Sequence, residues 1–294
     1  MIRNSGLQHF NNFGKIKSNS GTRGRCVQMS YPRIIPCLDL REGRVVTGIQ
    51  FSQLRDAGDP LELASFYARE GADELFLLDI AATPASRPLT CSLIRDISSA
   101  TDLCLTVGGG IDSAAVIEEM LKSGAHRVSL GSAALDNPSL IEEGARLFGS
   151  RHLVVAIDAR RTAPAQPEEN ARYEVYKGGG RRPTGRDAVE WAAEVERRGA
   201  AEILLTSMNT DGTRQGYDLA LLKAVTAAVT LPVIASGGAG RPEHLFDALT
   251  AGGADAVLAA SILHDGNYSI RGIRAFLAGK GLTGSTAVKG NTES

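Results

Sequence analysis

The sequence has no paired-cysteine motif, almost no net charge, no long apolar run and no dinucleotide-binding fingerprint, and each absence removes a class of function. The four cysteines, Cys26, Cys37, Cys91 and Cys104, are scattered without CxxC spacing. Neither a zinc site nor a disulfide framework is visible, and reduced thiols in a cytosol are the simplest account. A formal net charge of −1 leaves no basic excess to hold a polyphosphate backbone, so nucleic acid is not an expected partner. The longest apolar runs, such as Leu75 to Leu78 and Leu153 to Ile157, are strand-sized and far short of the roughly 20 residues that cross a bilayer. No membrane partner is expected, and the localisation that follows is cytoplasmic. The five histidines, His9, His126, His152, His244 and His264, show no metal spacing, so they are read as structural or surface residues and neither metal nor cofactor is expected.

What is present is enough apolar material for one large core. The chain has 294 residues, 43% of them hydrophobic, and an all-parallel barrel commonly uses about 250 residues. Residues 1–28 differ from the rest: they carry Arg3, Lys15, Lys17, Arg23 and Arg25, no acidic residue, and many Asn, Ser and Gly. That composition reads as a disordered tail or a start assigned upstream of Met29. The expected division is therefore an extension over 1–30, a barrel over 31–282 and a flexible tail over 283–294.

From Arg33 onward short aliphatic runs alternate with longer amphipathic stretches, the pattern of repeated βα units on a parallel sheet. Eight strands are predicted, at Arg33–Leu38, Leu75–Asp79, Leu103–Val107, Arg127–Leu130, Leu153–Asp158, Glu202–Ser207, Leu231–Ser236 and Ala254–Ala259. Helices are predicted over Ser113–Ser123, closing on Gly124, and over Pro242–Ala251, closing on Gly252. The chain also repeats itself at half length. IIPCLDLR at Ile34 matches LVVAIDARR at Leu153, GADELFLLD at Gly71 matches GAAEILLTS at Gly199, and the thirty residues from Thr106 match those from Ile234. A repeat of that length predicts an α/β fold, a (β/α)8 TIM barrel built from two half-barrel repeats. An open doubly wound sheet would not explain the duplication, and its GxGxxG signature is missing.

In such a barrel the residues just after each strand line the active site. Gly108-Gly109-Gly110 follows the third strand, and Ser236-Gly237-Gly238 follows the seventh. Gly131-Ser132 follows the fourth and Ala260-Ser261 the eighth, each opening a helix whose free N–H groups favour an anion. A lone glycine pair would be only a tight turn. Two symmetric sets, with Gly109, Gly110, Gly131 and Ser132 in one and Gly237, Gly238, Ala260 and Ser261 in the other, predict two phosphate cradles and a bisphosphate small-molecule substrate. Asp39 and Asp158 end the first and fifth strands, at equivalent points of the repeat, and are the predicted catalytic acid and base. Asp211 and Thr213, in the polar loop after the sixth strand, are assigned to substrate binding. Asp39 precedes one loop and Asp158 precedes two arginines, so the pKa values of the two carboxyls are expected to diverge. Segments Phe51–Asp59 and Thr162–Pro183 read as long polar loops able to move over the substrate.

The motifs IIPCLD, LRDAGDP, DELFLLDI, VGGGI, AIDARR, EILLTSMNTDGT, IASGGAG and LAAS, spread from about Arg33 to about Leu282, together resemble the cyclase subunits of imidazole glycerol phosphate synthase. The resemblance implies an enzyme of histidine biosynthesis, a lyase that uses ammonia to turn a ribulosyl-formimino aminoimidazole carboxamide ribonucleotide into imidazole glycerol phosphate and aminoimidazole carboxamide ribotide. It also implies a heterodimer with a glutaminase subunit docked on the N-terminal face of the barrel. Asp39 and Asp158 fall on the family's catalytic aspartates. Arg33, Glu74, Arg127 and Glu202, each at the start of a strand, align with the charged gate through which the family passes ammonia, with Arg127 where lysine is usual. Two positions depart from the pattern: Thr47 replaces a lysine, and Gly131 replaces an asparagine. The alternatives are the related pathway isomerase, or a catalytically altered cyclase-like paralogue that serves a glutaminase or delivers ammonia to another acceptor.

Overall fold

The structure, a computed structural model, describes residues 32–49, 52–162 and 171–283. The whole of the predicted 1–30 extension, with His9 and Cys26, and all of the 283–294 tail but residue 283 lie outside them.

Eight parallel strands close on themselves: β1 (Arg33–Arg41), β4 (Glu74–Asp79), β5 (Cys104–Gly108), β6 (Arg127–Leu130), β7 (Leu153–Arg161), β10 (Glu202–Ser207), β11 (Val233–Ser236) and β12 (Ala256–Ala259). Each pairs with the next, and β12 pairs with β1. The barrel is thus the predicted one. Between strands run α1 (Pro60–Arg69), α2 (Arg87–Ala100), α3 (Ala114–Lys122), α4 (Ser132–Asp136), α5 (Ser139–Phe148), α6 (Ala188–Arg197), α7 (Leu219–Ala228), α8 (Pro242–Leu249), α9 (Ser261–His264) and α10 (Ile270–Gly279).

The period of two along a strand sorts its residues. On β1, Ile34, Leu38 and Leu40 join the large cluster beneath the helices, while Ile35 and Cys37 join a smaller cluster inside the barrel with Phe76, Val154 and Leu204. Strands apolar on both faces in this way can exist only when both faces are covered.

The half repeat is visible in the architecture. After β1 a hairpin, β2 (Arg44–Ile49) and β3 (Ser52–Gly58), pairs back antiparallel, and after β7 a second hairpin, β8 (Tyr173–Lys177) and β9 (Arg182–Asp187), does the same. Asp59 caps α1 by accepting from the N–H groups of Leu61 and Glu62, and Asp187 caps α6 through Val189 and Glu190.

Four expectations need correction. The segments read as long loops contain hairpin strands, Ser52–Gly58 in the first, paired to the strand that carries buried Val45, and Tyr173–Lys177 in the second, where Tyr173 and Val175 are buried; residues 163–170 lie outside the described ones. The ungapped match from Thr106 and Ile234 fails midway. Gly124 (φ +114°) corresponds to Gly253 (φ +73°), which makes the turn in place of Gly252, so the second half holds one extra residue there. Strands β11 and β12 begin two residues later than predicted. Finally, Cys37 and Cys91 are buried free thiols, but Cys104 is disulfide-bonded.

Candidate active site

Asp39 and Asp158 occupy matching places at the C-terminal end of the barrel. Asp39 pairs with Leu78 of β4 and Val46 of β2; Asp158 pairs with Thr206 of β10 and Tyr176 of β8. Both are partly exposed, yet deep enough that lost hydration dominates their titration. Burial pushes Asp39 up to about 6, with the Cys37 thiol pulling the other way and Asp211 adding to the rise. Burial also pushes Asp158 up to about 6, again with help from Asp211. The expected divergence is not found. Burial and Asp211 raise both carboxyls, while the Cys37 thiol acts on Asp39 alone.

Asp211 is therefore more than a turn residue. It follows β10, donates its N–H to the Ser207 carbonyl at 3.0 Å, and is itself raised by burial while the Gly212 N–H opposes that rise. Asp211 thus lies within electrostatic range of both aspartates, and carboxyls raised in this way favour holding and moving protons near neutral pH. Thr213 turns its hydroxyl onto the Thr210 carbonyl at 2.7 Å, where it braces the loop that carries Asp211.

The glycine loops are dictated by close packing. A Cβ on Gly109 (φ +98°) would lie 2.1 Å from the Asp79 carbonyl oxygen, and one on Gly238 (φ +105°) 2.0 Å from that of Gly216. Neither site admits a side chain. Gly110 and Gly237 also have positive φ. Gly131 and Ala260 precede α4 and α9 with similar unusual backbone angles (φ −113°, ψ −107° and φ −121°, ψ −82°), so each half turns its chain alike to start a short helix at Ser132 or Ser261. Because β5 pairs with β6, and β11 with β12, each glycine loop stands beside the helix start of its own half. The β8–β9 turn reaches the first of these starts: the Gly178 N–H donates to Ser132 Oγ at 2.8 Å, and Lys177 pairs with Asp136.

At the opposite end of the barrel the four strand-start charges meet. Arg33 donates to Glu74 at 2.9 Å and to Glu202; Arg127 donates to Glu202 at 2.6 Å and to Glu74 at 3.4 Å. Each arginine bridges both glutamates, closing a ring. Glu74 and Glu202 are only 4% exposed, so the ring is a buried network whose members depend on one another.

Sequence reasoning missed three residues near Asp39. The Cys37 thiol lies 3.4 Å from Asp39 Oδ1, His264 Nε2 lies 2.9 Å from the Cys37 carbonyl, and the Tyr67 hydroxyl lies 2.6 Å from His264 Nδ1. Period two along β1 could have flagged Cys37. His264, read as structural or surface, lies in a helix 227 residues further on, and nothing local signals its target. His126, His152 and His244 serve backbone contacts, as that reading supposed. Among the described residues no group of three or more His, Cys, Asp or Glu side chains is placed to hold a metal ion, and no helix is long and apolar enough to cross a membrane.

Compared with known protein families, residues 33–269 match one described as histidine biosynthesis protein.

Proposed function

Because the chain belongs to the histidine biosynthesis protein family, whose barrels include a pathway isomerase and a cyclase, we propose that it is the cyclase, the ammonia-using subunit of imidazole glycerol phosphate synthase. The observation that carries this reading is the closed ring of Arg33, Glu74, Arg127 and Glu202 at the end of the barrel away from the aspartates. An internal rearrangement of one substrate needs nothing delivered through the barrel floor. A reaction that consumes ammonia released by a glutaminase partner does, and a ring of ion pairs that must part to admit a small molecule suits that task.

The chemistry fits the mouth. Two phosphates of an elongated substrate bind at the symmetric cradles, Gly109, Gly110, Gly131 and Ser132 in one half and Gly237, Gly238, Ala260 and Ser261 in the other. The reacting middle then lies between Asp39 and Asp158. With both carboxyls near 6 in the free protein, either can hold or release a proton near neutral pH. One takes a proton as ammonia adds and the other supplies one to the departing group, while Asp211 keeps either from becoming too acidic.

A second reading, an altered paralogue, draws on Thr47 and Gly131. Loss of one hydrogen bond to a charged group weakens binding by about 1.5–3 kcal/mol, enough to impair a cradle without abolishing it. The test is direct. Purified chain is given the ribulosyl substrate and ammonium at alkaline pH, and loss of substrate absorbance is followed. Turnover that requires both Asp39 and Asp158 supports the cyclase; a folded protein that instead isomerises the substrate's precursor overturns it.

A further inference from the structure

The two halves of the barrel are not equivalent behind their aspartates. On the side of Asp39 a chain of polar contacts runs inward from the helical layer. The Tyr67 hydroxyl of α1 meets His264 Nδ1 at 2.6 Å, His264 Nε2 meets the Cys37 carbonyl at 2.9 Å, and the Cys37 thiol meets Asp39 Oδ1 at 3.4 Å. A carbonyl can only accept, so Nε2 carries the proton and Nδ1 accepts from Tyr67. A carboxylate can only accept from the thiol, which burial and Asp39 keep protonated.

On the side of Asp158 each of these positions is apolar. The half repeat that aligns Asp39 with Asp158 aligns Cys37 with Ala156. Gly71 aligns with Gly199, which sets Tyr67 against Val195. Ser132 and Ser261 begin equivalent helices, which sets His264 against Leu135. Tyr67 is 2% exposed, Val195 fully buried and Leu135 8% exposed, so the asymmetry lies inside the protein. Strand β12 ends at Ala259, opposite Pro36. His264, on the helix that follows, reaches the next residue of β1 where strand pairing has stopped.

We propose that Cys37 and His264, with Tyr67 behind them, are positioning residues that fix the carboxylate of Asp39 and give it a role in the reaction different from that of Asp158. His264 sits in the helix that begins with Ser261 of the second cradle. This inference rests on the reading of Asp39 as catalytic.

The test pairs kinetics with an infrared readout that needs no substrate. Cys37→Ala places in the first half the residue that the second half already carries. It is expected to leave the fold intact and to lower kcat for ammonia-dependent turnover by about tenfold, the effect of roughly 1.4 kcal/mol, with KM for the bisphosphate within about twofold. Cys37→Ser, which keeps a donor, recovers most of the loss. The S–H stretch assigned to Cys37 by its disappearance in Cys37→Ala moves to higher frequency in Asp39→Asn and stays in place in Asp158→Asn, with buried Cys91 as internal reference. His264→Gln, which keeps an N–H for the Cys37 carbonyl, retains more kcat than His264→Leu; should the latter fail to fold, Tyr67→Phe replaces it, with a smaller drop in kcat at unchanged KM. A Cys37→Ala enzyme with wild-type kcat, or a stretch unmoved by Asp39→Asn, overturns the proposal. A wild-type protein without ammonia-dependent turnover sinks the cyclase reading instead, and the stretch still decides whether Cys37 holds Asp39.

Discussion

Arg33 and Asp39 stand on the same inward-facing column of β1, one in the charged ring at the strand's start and the other at the barrel mouth. At about 3.3 Å per residue their separation is close to 20 Å, and between them the column holds Ile35 and Cys37. One strand thus joins the ring at its start to the carboxyl at the barrel mouth, to which we assign catalysis.

The ring should therefore be costly to break. Arg33→Ala leaves Glu74 and Glu202, both buried, with half their partners. Removing one member of a buried pair costs about 3–5 kcal/mol. Since the arginines are a little exposed, a loss near the lower end is expected in chemical denaturation for Arg33→Ala and for Glu202→Ala. With a glutaminase partner present, both variants should alter glutamine-dependent turnover more than ammonia-dependent turnover. Equal effects would remove the case for a gate.

Asp39 and Asp158 should destabilise the protein at the pH where they work. Both are raised from 3.8 to about 6 in the folded chain. The folded state therefore binds more protons than the unfolded one between these values, and stability falls as pH rises from about 4 through about 6. Above that range each ionised carboxyl costs up to about 3 kcal/mol. Asp39→Asn and Asp158→Asn should each raise Tm at pH 7.5, leave it nearly unchanged at pH 4, and abolish turnover. A variant less stable than wild type at pH 7.5 would show that the carboxylate is held by favourable contacts.

Much of this was legible because strand periodicity and chain duplication act together. Period two assigns Asp39 and Arg33 to one face, and the repeat pairs Asp39 with Asp158. What stayed hidden depends on contacts remote in sequence or on small changes of register. His264 meets Cys37 only because the barrel closes β12 against β1. The matching rise of the two aspartates comes first from burial, with a further push from Asp211, whose Asp-Gly sequence reads as a turn and whose electrostatic reach appears only when β10 lies beside β7. The second hairpin passed for a loop because it turns on three glycines, Gly178–Gly180, and because β9 carries no buried residue.

Thr47 lies opposite Arg55 in the β2–β3 hairpin, and directly opposed residues of an antiparallel pair point to the same face. Arg55 is exposed and supplies a positive charge on the face where a lysine at position 47 would stand. Thr47→Lys should accordingly change kcat/KM by less than about threefold, while Arg55→Ala should lower it by about tenfold, as loss of a hydrogen bond to a charged group does. A large gain from Thr47→Lys together with no effect of Arg55→Ala would show that the missing lysine is uncompensated.

Gly109 and Gly131 belong to the same predicted cradle but should respond oppositely to a side chain. At Gly109 the backbone has φ +98° and a Cβ would sit 2.1 Å from the Asp79 carbonyl oxygen. Gly109→Ala must both strain the residue and push β4 and its loop away from β5, so a loss of at least about 2 kcal/mol is expected. Gly131 has a negative φ, and the nearest atom to a Cβ there is Ala156 Cβ at 4.0 Å, an ordinary contact. Gly131→Asn should then fold with stability within about 0.5 kcal/mol of wild type and add a side-chain amide donor beside Ser132. A donor to a phosphate contributes about 1.5–3 kcal/mol, so KM for the bisphosphate should fall by about tenfold or more with kcat unchanged. Isothermal titration with the substrate or its product separates this from a catalytic effect. If Gly131→Asn binds no tighter, phosphate does not sit at the start of α4, and the cradle assigned to Gly109, Gly110, Gly131 and Ser132 fails with it.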